Sequence, residues 1–341
     1  MHFLITGHTG FKGTWLAFLL AQMGHEVSGI SLEPEEKSLF ESTEIHRTLV
    51  KDIRRDIRDF ERILIDFQEV SPDVVVHFAA QSLVRRGYRH PIETYETNVL
   101  GTLNVLEASQ LTSNIKAVLI ATTDKVYQND ESKRAFRESD TLGGRDPYSS
   151  SKAIADLLAQ ATLRRKTSPR IAIARAGNVI GGGDVGQERL VPDIIKAFSH
   201  GTPLALRYPN SVRPWQHVLD CLYGYVSAVQ YIITNNISSI WNFGPENKDF
   251  VSVKNVAKKL AESWGLHQSI IDDTQIDFEE SKFLAIDSNK ANIELEWRNL
   301  YSTDEAIDLT AQWYKEVNRG NTPNQVTKDQ VASFLDQVSK Y

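Results

Sequence analysis

The sequence predicts an α/β fold, a doubly wound parallel sheet carrying a smaller, discontinuous α/β lobe, and four observations predict it. An apolar strand, Phe3-Leu4-Ile5, runs into a glycine-spaced turn, Thr6-Gly7-His8-Thr9-Gly10-Phe11-Lys12-Gly13, and then into a helical pattern from Thr14 to Met23. The stretch from Pro72 to Ala80 is a near-continuous apolar run, as expected of a parallel strand covered on both faces. Helical patterns over 92–110 and 147–165 flank another apolar strand at 117–121, so strands and helices alternate. Finally, 341 residues exceed one compact core, and the alternation loosens after the glycine-rich stretch Gly177 to Gly183.

Composition narrows the class of function. A 41% hydrophobic chain can bury a sizeable core, and the formal charge of -6 is spread along the sequence, which argues against nucleic acid as the main partner. The basic clusters Lys51 to Arg58 and Arg164-Arg165-Lys166 read as solvated surface. A single cysteine, Cys221, excludes an intrachain disulfide framework and a cysteine-built zinc site, and suits a reducing compartment; no metal is expected. Met1 to Thr6 has no positive leader region, and Trp15 to Met23 is too short to cross a bilayer, so a soluble, cytoplasmic protein without membrane contact is expected.

Taken in order, Gly7, Gly10 and Gly13 allow a tight turn, close approach to a pyrophosphate and close helix-strand packing, with the helix N-terminus facing the anion. This is the fingerprint of a Rossmann-type dinucleotide site, with Thr9, Phe11 and Lys12 in the same loop. A carboxylate to grip the adenosine ribose is expected after the second strand, 26–30, yet Ser31 stands there. Glu33 serves that role or is a solvated acid, and Lys12 leaves NAD against NADP open. A third strand is expected at 48–51, with Asp56-Ile57 at its exit as an adenine clamp. Phe78, Ala79 and Ala80 leave room for the cofactor at the end of the next strand, where His77 reads as structural. Asn98 is expected to tie its helix to a strand or to an active-site water.

Beyond the strand at 170–176, the pattern predicts a helix at 190–199, a strand at 204–207, a helix at 219–233 and a strand at 240–243. A helix at 253–264, the segment 270–286, a helix near 289–295 and an amphipathic terminal helix at 327–338 follow. The expected division is 1–178, 212–244 and about 298–318 for the dinucleotide domain. Residues 179–211, 245–297 and about 319–341 then form the smaller, substrate-binding lobe.

Ligands of open parallel sheets bind outside the carboxyl ends of the strands. The glycine loop, Ala79-Ala80, Thr123-Asp124-Lys125 and Asn178 all lie at such ends, so four segments converge on one cleft. Tyr148 and Lys152 fall on one helical face at i,i+4 spacing. A lysine there favours the phenolate, letting Tyr148 act as a base toward a hydroxyl whose carbon gives hydride to a nicotinamide, while Lys152 holds the ribose and Thr123 the reacting oxygen.

These motifs resemble the extended short-chain dehydrogenase/reductases, and within them the nucleotide-sugar 4,6-dehydratases. The resemblance runs over nearly the whole chain. It rests on Gly7-x-x-Gly10-x-x-Gly13, His77-Phe78-Ala79-Ala80, Asn98-Val99-x-Gly101-Thr102, Tyr148-x-x-x-Lys152, Arg213-Pro214-Trp215-Gln216-His217-Val218-Leu219-Asp220 and Trp241-Asn242-Phe243-Gly244-Pro245. Asp124-Lys125, with Gly7 through Leu16, is similar to the branch acting on CDP-glucose. The resemblance implies NAD, a lyase reaction in deoxysugar biosynthesis, Asp124 as the acid at the C6 hydroxyl and Lys125 as the C5 base. Burial or neighbouring cations would have to lower the Lys125 pKa; otherwise Lys125 pairs with a carboxylate and another group takes the proton. It also implies Asn178, Arg189 and Arg213 near the diphosphate and base, Gln81, Ser82 and Arg86 near the sugar, and a homodimer through the helices near 92–110 and 147–165. Ser31 and Glu279-Glu280-Ser281 depart from the related pattern. The alternatives are a nucleotide-sugar 4-epimerase or reductase, and a non-catalytic dinucleotide-sensing scaffold.

Overall fold

A computed structural model describes residues 1–164, 169–246, 250–264, 270–272 (backbone only) and 281–340. The strands are β1 (His2–Thr6), β2 (Glu26–Ser31), β3 (Asp52–Arg54), β4 (Val74–His77), β5 (Ala117–Thr123), β6 (Arg170–Ala176), β7 (Asn178–Ile180), β8 (Leu204–Leu206), β9 (Val212–Arg213), β10 (Trp215–His217), β11 (Ser239–Phe243), β12 (Val251–Ser252) and β13 (Ile270–Asp272). The helices of the first half are α1 (Phe11–Gln22), α2 (Leu39–Ser42), α3 (Phe60–Val70), α4 (Val84–Arg89), α5 (Pro91–Tyr95), α6 (Gly101–Leu111) and α7 (Pro147–Leu163). Those of the second half are α8 (Leu190–His200), α9 (Val218–Asn235), α10 (Val253–Trp264), α11 (Asn289–Glu294), α12 (Thr303–Asn318) and α13 (Pro323–Val338).

Seven strands form one sheet in the order β11-β6-β5-β4-β1-β2-β3, every neighbouring pair parallel. The order reverses between β1 and β4, which opens a crevice at the carboxyl ends of these strands. Because alternate side chains of a parallel strand face opposite layers, the sheet divides two apolar clusters. One gathers Phe3, Trp15, Leu219 and Trp241; the other gathers Leu4, Phe67, Leu106 and Ile173. A third cluster, with Ile194, Leu206, Trp215, Leu260 and Ile307, is the core of the smaller lobe. Among the described residues no helix is long and apolar enough to cross a membrane.

Four expectations shift. The strand expected at 48–51 forms at 52–54, because Ile45–Thr48 winds into a 3₁₀ turn and hydrogen bonding to β2 begins only at Val50, whose N–H donates to Val27 O at 2.8 Å. The helix expected at 92–110 is interrupted by a π turn over Glu96–Leu100, which carries Asn98 inward. β4 stops at His77, so Phe78 to Ala80 form a loop over the crevice. Helix α13 does not join the smaller lobe: its Val326, Val331 and Phe334 pack in the cluster containing Trp15 of α1. Part of the segment 270–286, with Glu279 and Glu280, lies outside the described residues, as do Arg165 and Lys166.

One polar tie joins the sheet to the start of the smaller lobe: the Trp15 indole donates to Gly182 O at 3.0 Å. Within the sheet core the buried Asp220 carboxyl accepts from Leu300 N at 2.7 Å and Tyr301 N at 3.4 Å. Helix α12 lies across the join, with Ile307 in the smaller core and Trp313 in the sheet core.

Candidate active site

Along the crevice runs a cleft of about 680 Å³. The glycine loop forms its floor because only glycine fits there. Gly7 has φ +79°, and a Cβ on it would sit 2.7 Å from Ala79 N; a Cβ on Gly13 would sit 2.2 Å from Gly7 O. Gly10 caps α1 without a side chain, so the first-turn N–H groups face the cleft, the geometry that receives a pyrophosphate. Every residue assigned to cofactor, catalysis or substrate from the sequence lines this one cleft.

At the β2 end, the Ser31 hydroxyl bonds Thr9 Oγ1 at 2.7 Å, while Glu33 is 80% exposed and paired with Arg54 at 3.2 Å. The ribose corner therefore offers hydroxyls, and Glu33 is spent on an arginine. Lys12 points to the other end of the cleft: its amine lies 5.7 Å from the centre of the Tyr225 ring, and its charge acts on Asp124 and Lys152.

The end of the cleft that holds the candidate catalytic residues is built where β5 runs out. Thr123 caps the 3₁₀ turn Asp124–Val126, accepting from Lys125 N at 3.3 Å, and its hydroxyl donates to Asp124 Oδ1 at 2.9 Å. Asp124 is 2% exposed and, among the described residues, its Oδ2 has no hydrogen-bond partner. Burial raises the Asp124 pKa against the opposing charges of Lys125 and Arg213, so the carboxyl holds a proton more readily than an exposed aspartate. Opposite, Pro147 and the Asp146 cap start α7, with Asp146 accepting from Ser149 N at 2.9 Å. This start brings Tyr148 to the cleft, with Lys152 one turn on.

Here the structure corrects one expectation. Burial pushes the Tyr148 phenol up to about 12, opposed by the Thr123 hydroxyl and the Arg189 charge, so the phenol is held neutral rather than favoured as the phenolate. Lys152 is itself pushed down to about 8 by burial and by the Lys12 charge, and its amine donates to Ala121 O at 2.8 Å.

Residues assigned to the substrate divide by how they are bonded. Gln81 is internally engaged: its amide donates to Thr94 Oγ1 at 2.9 Å and its Oε1 accepts from Leu83 N at 2.6 Å. Arg86 pairs with Glu93 at 2.8 Å, and Arg189 pairs with Asp184 at 3.1 Å while donating to Ser82 Oγ at 2.9 Å. Arg213 is buried beside Asp124, and Asn178 opens β7 on the same wall. His77 is structural, bonded to Thr6 at 2.7 Å and Thr102 at 3.0 Å and pushed down to about 3 by burial. Asn98 ties its turn to Gln81, accepting from its N–H at 2.8 Å, and to Ser151 at 2.9 Å.

Sequence reasoning missed the support beneath the site. Asp156 takes a two-pronged bond from the buried Arg175, both arms at 2.8 Å, and accepts from Thr122 at 3.0 Å; Arg175 also donates to Tyr127, whose hydroxyl donates to Asn242 at 2.6 Å. A signal existed: Asp156 follows Lys152 by four residues, on the same helical face, and Arg175 is a charge inside an apolar strand. Asp193 and Arg207, also on the cleft wall, were not singled out either.

Comparison with known proteins agrees with this geometry. The family model described as GDP-mannose 4,6 dehydratase matches residues 4–310. The CDP-glucose 4,6-dehydratase of Salmonella typhimurium is 39% identical, over 98% of this chain and 96% of its own. A dTDP-glucose 4,6-dehydratase of Streptomyces venezuelae, solved with NAD and TYD bound, superposes with a TM-score of 0.80 at 26% identity, covering 94% of this chain and 98% of its own. The UDP-glucose-4-epimerase of Stenotrophomonas maltophila, at 21% identity and a TM-score of 0.81 over 94% of this chain and all of its own, shares the fold. On the motifs, the cleft and these matches together, the chain belongs to the GDP-mannose 4,6 dehydratase family.

Proposed function

We propose that this enzyme is an NAD-dependent nucleotide-sugar 4,6-dehydratase that converts CDP-glucose to CDP-4-keto-6-deoxy-glucose and water. The observation that carries it is Asp124: a carboxyl whose burial raises its pKa, with one oxygen bonded to Thr123 and the other without a partner among the described residues, at one end of a dinucleotide cleft. A simple reductase or epimerase has no use for a second acid there. The 39% identity to a CDP-glucose 4,6-dehydratase supports the choice of sugar nucleotide.

The glycine loop and the start of α1 fit the pyrophosphate of NAD, and Lys152 fits its nicotinamide ribose. When bound, the oxidised nicotinamide accepts and returns a hydride, and its ring charge opposes the burial that holds the Tyr148 phenol up. Tyr148 takes the proton of the C4 hydroxyl, and Thr123 holds that oxygen as C4 becomes a ketone. The ketone acidifies the C5 proton, which Lys125 removes. Asp124 gives its proton to the C6 hydroxyl, which leaves as water. The hydride taken from C4 would be returned to C6, and reprotonation at C5 completes the product, so the reaction is a net loss of water from the sugar.

Incubation with CDP-glucose in deuterated water, read by mass, is expected to place one deuterium at C5 of a 4-keto-6-deoxy product. Failure to lose water from any of CDP-, dTDP-, UDP- or GDP-glucose would overturn this reading. A homodimer belongs to the same proposal. Ile92, Leu100, Ile154 and Leu157 are exposed on α5, the π turn and α7, and they make an apolar face that a second copy of these helices would cover.

A further inference from the structure

The cleft continues past Arg189 and Arg213 along α8 into the smaller lobe. Asp193 lies one turn beyond Arg189, its N–H donating to Arg189 O at 3.0 Å, so the two side chains are spaced by about 6 Å along the helix axis. That is the scale of the ribose separating a diphosphate from its base. Facing Asp193 from the end of β8 is Arg207, which donates to Glu188 O at 3.1 Å. The nearest Asp193 oxygen lies 3.9 Å from Arg207 Nη2, too far for a hydrogen bond, and the side chains are 44% and 25% exposed. The Glu188 carboxylate is turned to Arg85 and Arg89, at 3.6 Å from each.

We propose that Asp193 and Arg207 read the base of the substrate, the carboxylate accepting from the N4 amino group of cytosine and the guanidinium donating to N3 and O2. The inference rests on the nucleotide-sugar reading of the same cleft and goes beyond it by naming what selects the base. Cytosine presents a donor beside two acceptors, which an acceptor-only carboxylate beside a donor-only guanidinium complements. Uracil and thymine place the O4 acceptor where cytosine has its amino group and an N3–H where cytosine has a lone pair, so the carboxylate meets a lone pair, the guanidinium meets a donor, and two contacts turn repulsive.

The test is calorimetric titration of the full chain with CDP, UDP, dTDP and GDP, which needs no turnover. The native protein is expected to bind CDP roughly tenfold or more tighter than the other three. Asp193→Asn should narrow that margin by tightening UDP, because its amide donates to O4. Arg207→Met should weaken CDP more than UDP, since cytosine loses its N3 and O2 contacts and uracil only the one to O2. If Asp193→Asn does not fold by circular dichroism, Asp193→Ser should still weaken CDP while sparing UDP. Native preference for UDP, dTDP or GDP, or a CDP:UDP ratio unmoved by the Asp193 variants, overturns the assignment. A CDP preference that collapses in the variant, in a protein that fails to dehydrate CDP-glucose, would instead overturn the dehydratase reading and leave the base assignment standing.

Discussion

Asp124 and Lys152 show how burial prepares two side chains for opposite work. Desolvation disfavours the charged form of each, so the acid's pKa rises and the amine's falls, with the Lys12 charge adding to the second. Asp124→Asn preserves size and the acceptor for Thr123 but has no proton to give. We expect water elimination to fall by roughly 10²–10⁴-fold while C4 oxidation still appears as reduced-nicotinamide absorbance on mixing with CDP-glucose. Turnover left intact would favour an epimerase or reductase instead. For Lys152 the folded pKa of about 8 lies below the unfolded 10.5. Its burial therefore costs most below pH 8, and the cost fades between pH 8 and 10.5 as the folded state sheds the proton first. Lys152→Met should abolish turnover yet raise stability at pH 7 by up to about 3 kcal/mol, a gain that disappears near pH 10.5. Urea unfolding at both pH values checks the sign.

Between single residues and the whole chain, the junction of β5, β6 and α7 matters most. Asp156 on α7 holds Arg175 on β6 and Thr122 at the end of β5, so three elements that meet beneath Thr123, Tyr148 and Lys152 share one buried polar knot. Breaking such a pair leaves a buried charge without its partner. Asp156→Leu should destabilise the protein by roughly 3–5 kcal/mol, whereas Asp156→Leu with Arg175→Met should recover much of that loss. Chemical denaturation of the three proteins decides it. A double variant no more stable than the single would mean that Tyr127 and Asn242, not the charge pair, carry the knot.

For the whole molecule the question is what covers the apolar face of α5 and α7. Leu157 is 53% exposed and Ile92 is 74% exposed, while Ile154 lines a shallow hollow with Val99 and Leu100. Two copies related by a two-fold axis would bury this face against itself. Light scattering is expected to report a dimer, and Leu157→Glu, which places a carboxylate in that contact, is expected to shift it to monomer. A native monomer at micromolar concentration would remove the dimer from the proposal.

Local pattern was enough for the sheet, the glycine loop, the Tyr148 and Lys152 pair and the Thr123-Asp124-Lys125 turn. Each is carried by a short-range rule: strand burial, a backbone that tolerates no Cβ, helical spacing, or a strand end. The β3 boundary slipped because pairing with β2, not local propensity, decides where that short strand begins. Helix α13 was assigned to the wrong lobe because amphipathicity shows that a helix has a covered face, not which core covers it. Protonation belongs to tertiary structure as well. Sequence places a lysine one helical turn from Tyr148, but only the packed site shows burial raising the phenol. The sequence by itself determined the fold class, the position of the cleft and the residues that line it, because those follow from nearest-neighbour chemistry. Only the tertiary structure decided which carboxyl has its pKa raised by burial, which arginine ties β6 to α7 and which acid faces Arg207, because those depend on desolvation and on contacts between residues far apart in the chain.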